Sequence, residues 1–254
     1  MTYKMQLDTN GGVVFDTIAR ICSEVRIYLN EKGMDILDMD GSHICLVHLH
    51  YDKADLQGFL LDAETTLGIN VEDLSKLLKR ANEDSIGFQN GEDSKILQII
   101  FKNEQNPSRA RQYDFDLIDC DRDEVNSESL DTLLQKCPNH VLFVVSEMDT
   151  ILQDADPISE VLDIQGRNQT ITFQANGRVG KYSAIWKDLP IQESKVLSYA
   201  IQFLKAIFNK DLCAKWSQTK GELTLGLEDE PLQIKFSFGL KSYLRFCLAP
   251  RVEE

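Results

Sequence analysis

Three histidines fall within the octet His-Ile-Cys-Leu-Val-His-Leu-His at residues 43–50, and imidazole nitrogens that converge can hold zinc. His48 and His50 share one face if the octet is a strand, whereas His43 has the opposite parity, and no nearby Cys or Glu completes a four-ligand shell. Cys137 and His140 have ligand-like spacing but lack a second pair. Asp114 and Asp116, followed by Asp119 and Asp121, offer carboxylates of the kind that bind divalent metals for hydrolysis. The same alternation describes an acidic, solvated strand face. The sequence holds no GxGxxG, no P-loop and no GxSxG turn. No catalytic residue, no metal and no cofactor is therefore expected, with a carboxylate-dependent nuclease built on Asp114, Asp116 and Asp119 as the rival reading.

The elements that would position these residues are set by a chain of 254 residues, 43 % apolar and 27 % charged, with a formal net charge of -14. That length suits one large domain or two smaller ones. The net charge repels phosphate on average, so any nucleic-acid contact must come from local clusters. No apolar run reaches the roughly 18 residues of a membrane span, and Met-Thr-Tyr-Lys-Met-Gln-Leu-Asp-Thr-Asn at 1–10 lacks the apolar core of a signal peptide. An intracellular protein with no membrane partner is expected. The six cysteines are dispersed, as reduced thiols are in such a setting.

Strand signals dominate. Residues 85–93 and 94–102 read as a hairpin turning at Asn90-Gly91, and 221–239 as another, with Leu232, Ile234, Phe236 and Phe238 on a buried face. Residues 111–117 alternate too. Four segments take a helical period instead. Val14, Ile18, Ile21, Cys22 and Val25 share a face; residues 70–84 follow with Asn70 as N-cap; 146–157 follow with Ser146 as cap; and the fourth spans about 198–210. Each half thus reads strand, helix, strands, helix, strands. The expected organisation is two similar α+β domains, residues 1–118 and 141–254, each with two helices and antiparallel sheets, joined by an acidic connector over 119–140.

On the second helix the leucines occupy one side, while Lys76, Lys79 and Arg80 cluster on the other. This could be a phosphate-facing stripe or a last turn that suits the helix dipole. Arg20 is the only cation on the first helix, and Asp16 shares its polar face. The fourth presents Lys205, with Lys210 to the side. The third has no cation and carries Glu147, Asp149, Asp154 and Asp156.

Met-Asp-Gly-Ser-His-Ile-Cys-Leu-Val-His-Leu at 39–49, the helix within 68–86, and Leu-Arg-Phe-Cys-Leu-Ala-Pro-Arg-Val-Glu-Glu at 244–254 together resemble the sliding clamps of the proliferating cell nuclear antigen type. The resemblance covers the whole chain. It implies the DNA clamp fold: a trimeric ring of head-to-tail subunits whose helices line a hole around double-stranded DNA. Such a ring tethers DNA polymerase, flap nuclease, ligase and other proteins bearing clamp-binding peptides. An ATP-dependent clamp loader opens it. The cellular site would be the nucleus in a eukaryote, otherwise the cytoplasm with the nucleoid or a viral replication site.

Carried onto this sequence, the resemblance implies a peptide pocket at Met39, His43, Ile44, Val125, Pro231, Cys247, Leu248, Ala249, Pro250 and Val252. It implies DNA-facing cations at Arg20, Lys76, Lys79, Arg80, Arg109, Lys205 and Lys210. Subunit contacts would join Arg111, Tyr113 and Phe115 to Val179, Lys181 and Tyr182 of a neighbour. The chain departs from the family at three places. Its connector reads Val125-Asn126-Ser127-Glu128 in place of Leu-Gly-Ile-Pro and is several residues longer. Cys247 replaces an aromatic, and the third helix has lost its cations. A homotrimer, a heterotrimer-specific or checkpoint-type subunit, and an acidic adaptor that never meets DNA remain open on these residues.

Overall fold

Leu232, Ile234, Phe236 and Phe238 are all buried, and they line one face of a strand, as their period of two requires. Gln233, on the opposite face, is buried as well and donates from Nε2 to the Thr224 hydroxyl, 3.1 Å away. This hairpin belongs to a computed structural model that describes residues 2–81, 84–103, 109–120, 125, 132 and 137–251. The chain divides into two compact units. The first comprises Met1–Gly41, Val47–Val125 and Ser237–Leu244; the second comprises Ser42–Leu46, Asn126–Phe236 and Arg245–Glu254.

The first unit runs β1 (Tyr3–Leu7), α1 (Gly11–Ala19), β2 (Glu24–Asn30), β3 (Gly33–Met39), β4 (Cys45–Asp52), β5 (Gln57–Leu61), β6 (Thr65–Asn70), α2 (Val71–Leu78), a 3-10 turn (Lys79–Ala81), β7 (Ser85–Asn90), β8 (Ile96–Lys102) and β9 (Ala110–Asp116). Strands β5-β1-β7-β8-β9 form an antiparallel sheet, and β4-β3-β2-β6 lie side by side in another. Val14, Phe15 and Ile18 of α1 and Leu74 and Leu78 of α2 are buried, and Phe15 meets Phe88 of β7 edge-on at 5.9 Å. Asn70 caps α2 as expected, its Oδ1 accepting from the Asp73 N–H at 2.9 Å.

Helix α1 is shorter than its apolar spacing suggests. It ends at Ala19, and Val25 lies on β2 opposite Ile69 of β6. Val25 fits both periods. From Val25 on, buried Ile27 and Leu29 alternate with Arg26 and Tyr28, and the β-branched pair favours the strand. Beyond β9, the Ile118 N–H bonds the Gly68 carbonyl at 2.9 Å, and a Cβ on Gly68 would collide with the Ile118 carbonyl oxygen. Only glycine admits that approach.

The second unit runs β10 (Asn139–Val144), α3 (Val145–Ala155), β11 (Val161–Arg167), β12 (Thr170–Gly177), β13 (Gly180–Trp186), β14 (Leu197–Ala200), α4 (Ile201–Ile207), α5 (Lys210–Trp216), β15 (Lys220–Leu225), β16 (Leu232–Phe238) and β17 (Ser242–Leu248). One antiparallel sheet has the order β13-β12-β11-β14, and β10-β15-β16-β17 run side by side in the other. Its core gathers Phe143, Phe208 and Trp216 around Phe236, with ring centroids 5.6–6.4 Å from that of Phe236.

Two helix limits differ from the sequence reading here. Helix α3 begins one residue before Ser146, and the Val144 N–H donates to the Glu147 carboxylate at 3.4 Å. The fourth helix is preceded by β14 and stops at Ile207. Asn209 then starts a helix the sequence reading did not include, its Oδ1 accepting from the N–H groups of Asp211 and Leu212 at 3.1 Å each. An Asn followed by Asp in the first turn was a legible start signal. Among the described residues no helix is long and apolar enough to cross a membrane.

Candidate functional site

Of the cations on the first unit's helices, Arg20 and Lys79 converge on one acid. Asp16 projects from α1 with its side chain only 7 % exposed. Its Oδ2 lies 3.2 Å from Arg20 Nη2, and its Oδ1 lies 2.8 Å from Lys79 Nζ and accepts from the Ser75 hydroxyl at 3.1 Å. Burial by itself raises the Asp16 pKa; the bonds and charges of Lys79, Arg20 and Ser75 outweigh it and bring the pKa below the ordinary carboxylate value. Asp16 is therefore ionised at neutral pH. Asp16 and Arg20 stand four apart at the end of α1, a pairing signal in the sequence; the arrival of Ser75 from α2 and of Lys79 from the turn after it was not legible there.

The remaining cations are arranged differently. Lys76 Nζ pairs with Asp73 Oδ1 at 2.8 Å, both side chains well exposed. Arg80 and Arg109 are exposed. In the second unit, Lys205 Nζ pairs with Asp156 Oδ2 at 2.6 Å, again between exposed groups. Lys210 is exposed at the first position of α5.

The C-terminal segment of the second unit is held at two points. The Ala249 N–H bonds the Ile44 carbonyl at 2.9 Å, and the Arg251 N–H bonds the Ser198 carbonyl of β14 at 2.7 Å. Beside it lies a cavity of about 810 Å³ that Ile44, Ala249 and Pro250 share with Ala200, Gln202 and Phe203; Asp156, Glu160 and Lys205 add charge to its wall. Three of the expected pocket residues are thus brought together. His43, next to Ile44, is exposed and takes the left-handed backbone region at φ 57°. Leu248 is fully buried and Cys247 nearly so, and neither lines the cavity. Pro231 is half-buried just ahead of β16; in the first unit Met39 ends β3 half-buried, and Val125 is half-buried. Val252 lies outside the described residues. The contribution of Ala200, Gln202 and Phe203 was not legible, because it depends on the tail crossing to β14.

Strands β9 and β13 each end their sheet. Tyr113 of β9 lies against Phe101 with centroids 5.3 Å apart, and Phe115 is half-buried opposite Leu97. Arg111 is engaged within its own unit: it reaches Asp84 Oδ2 at 2.7 Å and donates to the Arg80 carbonyl at 2.9 Å. In the turn ahead of β13, Val179 is 75 % exposed; on β13 itself Ile185 is 51 % exposed, Lys181 is exposed, and Tyr182 is half-buried, its pKa raised by burial and by Asp154 beside it. Long exposed edges with apolar side chains call for a partner strand.

The histidines have other work. His50 Nδ1 donates to Asp35 Oδ1 at 2.7 Å, and the Tyr243 hydroxyl lies 3.3 Å from His48 Nε2. Burial alone would raise the Asp35 pKa, but the hydrogen bond and charge of His50, with His48 Nε2 3.9 Å away, hold it far below the ordinary value; the bond to Asp35 in turn raises the His50 pKa. Cys137 is buried, while His140 pairs with Glu222 at 3.0 Å. Asp114 accepts from Gln98 Nε2 at 3.3 Å and, like Asp116, is exposed. Among the described residues no group of three or more His, Cys, Asp or Glu is arranged to hold a metal ion.

Comparison with known proteins bears on the whole chain. Residues 11–126 match the family described as proliferating cell nuclear antigen, N-terminal domain. The proliferating cell nuclear antigen of Chaetomium thermophilum is 24 % identical over 253 residues, covering 94 % of this chain and 93 % of that protein. The DNA polymerase sliding clamp of Nitrosopumilus maritimus is 25 % identical over 251 residues, covering 94 % of each. The crystal structure of the proliferating cell nuclear antigen of Thermococcus kodakaraensis shares the fold, with a TM-score of 0.85 at 16 % identity over 98 % of this chain and all of that one. A matching N-terminal domain, relatives of the same name along the chain and a common fold agree: this chain is similar, over nearly its whole length, to the sliding clamps of the proliferating cell nuclear antigen type, and it has their fold.

Proposed function

We propose that the chain is a DNA sliding clamp, a non-catalytic platform that encircles duplex DNA and tethers polymerases and other replication and repair proteins to it. The observation that carries this reading is the correspondence, along nearly the whole chain, with relatives named DNA polymerase sliding clamps, in a chain whose two units each run strand, helix, strands, one or two helices and strands. Three subunits close a ring by pairing β9 of one with β13 of the next, and the two clamp domains of each subunit, residues 1–118 and 141–254, turn their helices toward the DNA. Arg20, Lys76, Lys79, Arg80, Arg109, Lys205 and Lys210 meet phosphate. Because encirclement replaces grip, a net charge of -14 is compatible with the role. The cavity beside Ile44, Ala249 and Pro250 takes part of an apolar peptide hook from each partner, a groove-docking mode of recognition. An ATP-dependent loader opens the ring. The protein works inside a cell or infected cell wherever its DNA is replicated, the nucleus in a eukaryote.

A second reading is favoured by one observation. Helix α3 bears Glu147, Asp149 and Asp154 and no cation, which suits a subunit placed beside more basic sisters in a heterotrimer. Sedimentation equilibrium of the purified chain tests both. A mass of three chains is expected for the homotrimer, and a single chain that becomes a trimer only on adding sister subunits for the heterotrimer. A chain that stays solitary with every sister supplied would overturn the clamp reading.

A further inference from the structure

One acid, buried between two helices, sits behind two cations that reach solvent. Arg20 and Lys79 are 41 % and 48 % exposed at their side chains, whereas Asp16, which both touch, is 7 % exposed. Its two oxygens divide the work: Oδ2 takes Arg20 through Nε at 3.3 Å and Nη2 at 3.2 Å, and Oδ1 takes Lys79 at 2.8 Å together with the Ser75 hydroxyl. A long cationic side chain loses rotamer freedom when it binds phosphate, and one already held by a fixed partner loses less. The pairs Lys76–Asp73 and Lys205–Asp156 join exposed groups that solvent can part.

We propose that Asp16 is a positioning residue for DNA contact: it fixes Arg20 of α1 and Lys79 beyond α2 in one preset arrangement, so that both meet the duplex backbone without being reordered. The proposal rests on the clamp reading above and goes beyond it, because it assigns a favourable role in DNA binding to a buried acid. Charge alone predicts the opposite sign, since removing an acid beside a polyanion tightens binding.

The test uses the full chain and a linear duplex, whose free ends let a closed ring thread on without a loader. Binding is followed by fluorescence anisotropy at low salt. Asp16→Asn is expected to weaken binding by about threefold to tenfold, and to have no further effect once Arg20→Ala and Lys79→Ala are both present. Tighter or unchanged binding by Asp16→Asn, or an equal loss in the doubly substituted background, overturns the anchor. If Arg20→Ala with Lys79→Ala itself leaves binding unaltered, that helix face leaves the clamp reading altogether, which is a separate failure. Should Asp16→Asn not fold, the wild-type chain answers through the NMR signal of Arg20 Nε–H. That signal is expected to shift on adding duplex while staying ordered; disordering on DNA overturns the proposal.

Discussion

The two units each run strand, helix, strands, one or two helices and strands, yet they hold their helix cations in different ways. In the first, α1 and α2 enclose Asp16, and two cations lean on it from the solvent side. In the second, α3 is acidic, and Lys205 meets Asp156 where both are exposed. A buried acid is committed to its partners, because leaving it unpaired costs several kcal/mol, roughly 3–5 where burial is complete. An exposed pair is worth about 0–1 kcal/mol and yields readily to salt or to a competing phosphate. On the proposed clamp reading, the first unit offers DNA a fixed positive site, and the second offers a cation that must first leave its acid. A repeated fold does not impose a repeated electrostatic role.

The edges extend the contrast. In the first unit β9 offers Tyr113 backed by Phe101, a ring on a ring; in the second β13 and the turn before it offer exposed Ile185 and Val179. Tyr113→Ala is expected to have the largest effect of the variants considered, about 2 kcal/mol or more for a central interface aromatic. Sedimentation velocity should show the trimer giving way to monomer; an unaltered trimer would remove β9 from the interface. Next comes charge reversal. Lys76→Glu with Lys79→Glu in the first unit should cut polymerase stimulation by about tenfold or more, as each lost phosphate contact also flattens the log–log salt slope by about 0.9. Lys205→Glu in the second unit should cost much less in the same primer-extension assay. Equal losses would erase the distinction between the units. The smallest change is expected from Asp156→Asn, which releases Lys205 from an exposed pair: thermal unfolding should shift by no more than about 1 kcal/mol, with DNA affinity slightly raised. A larger destabilisation would mean that this pair is structural.

Much of this was legible in the sequence. The alternation from Leu232 to Phe238, the Asn70 cap and the leucine face of α2 follow from local periods and local hydrogen bonds, and the fold repeats them. What escaped depends on residues far apart in the chain. Asp16 reads as one more surface acid until Ser75 arrives from α2 and Lys79 from the turn after it. The wall formed by Ala200, Gln202 and Phe203 exists because Arg251 bonds to Ser198 across more than fifty residues. The end of α1 was misread for a different reason: Val25 satisfies a helical and a strand period at once, and only pairing with β6 decides between them.

The central claim is that this chain holds DNA by enclosure. The most direct measurement follows the protein, loaded by its ATP-driven loader onto nicked circular duplex, before and after a restriction enzyme opens the circle. The account predicts stable retention on the closed circle and rapid loss by sliding off once it is cut, with little dependence on moderate salt. Retention that is the same on circular and linearised DNA and falls steeply with salt would contradict it.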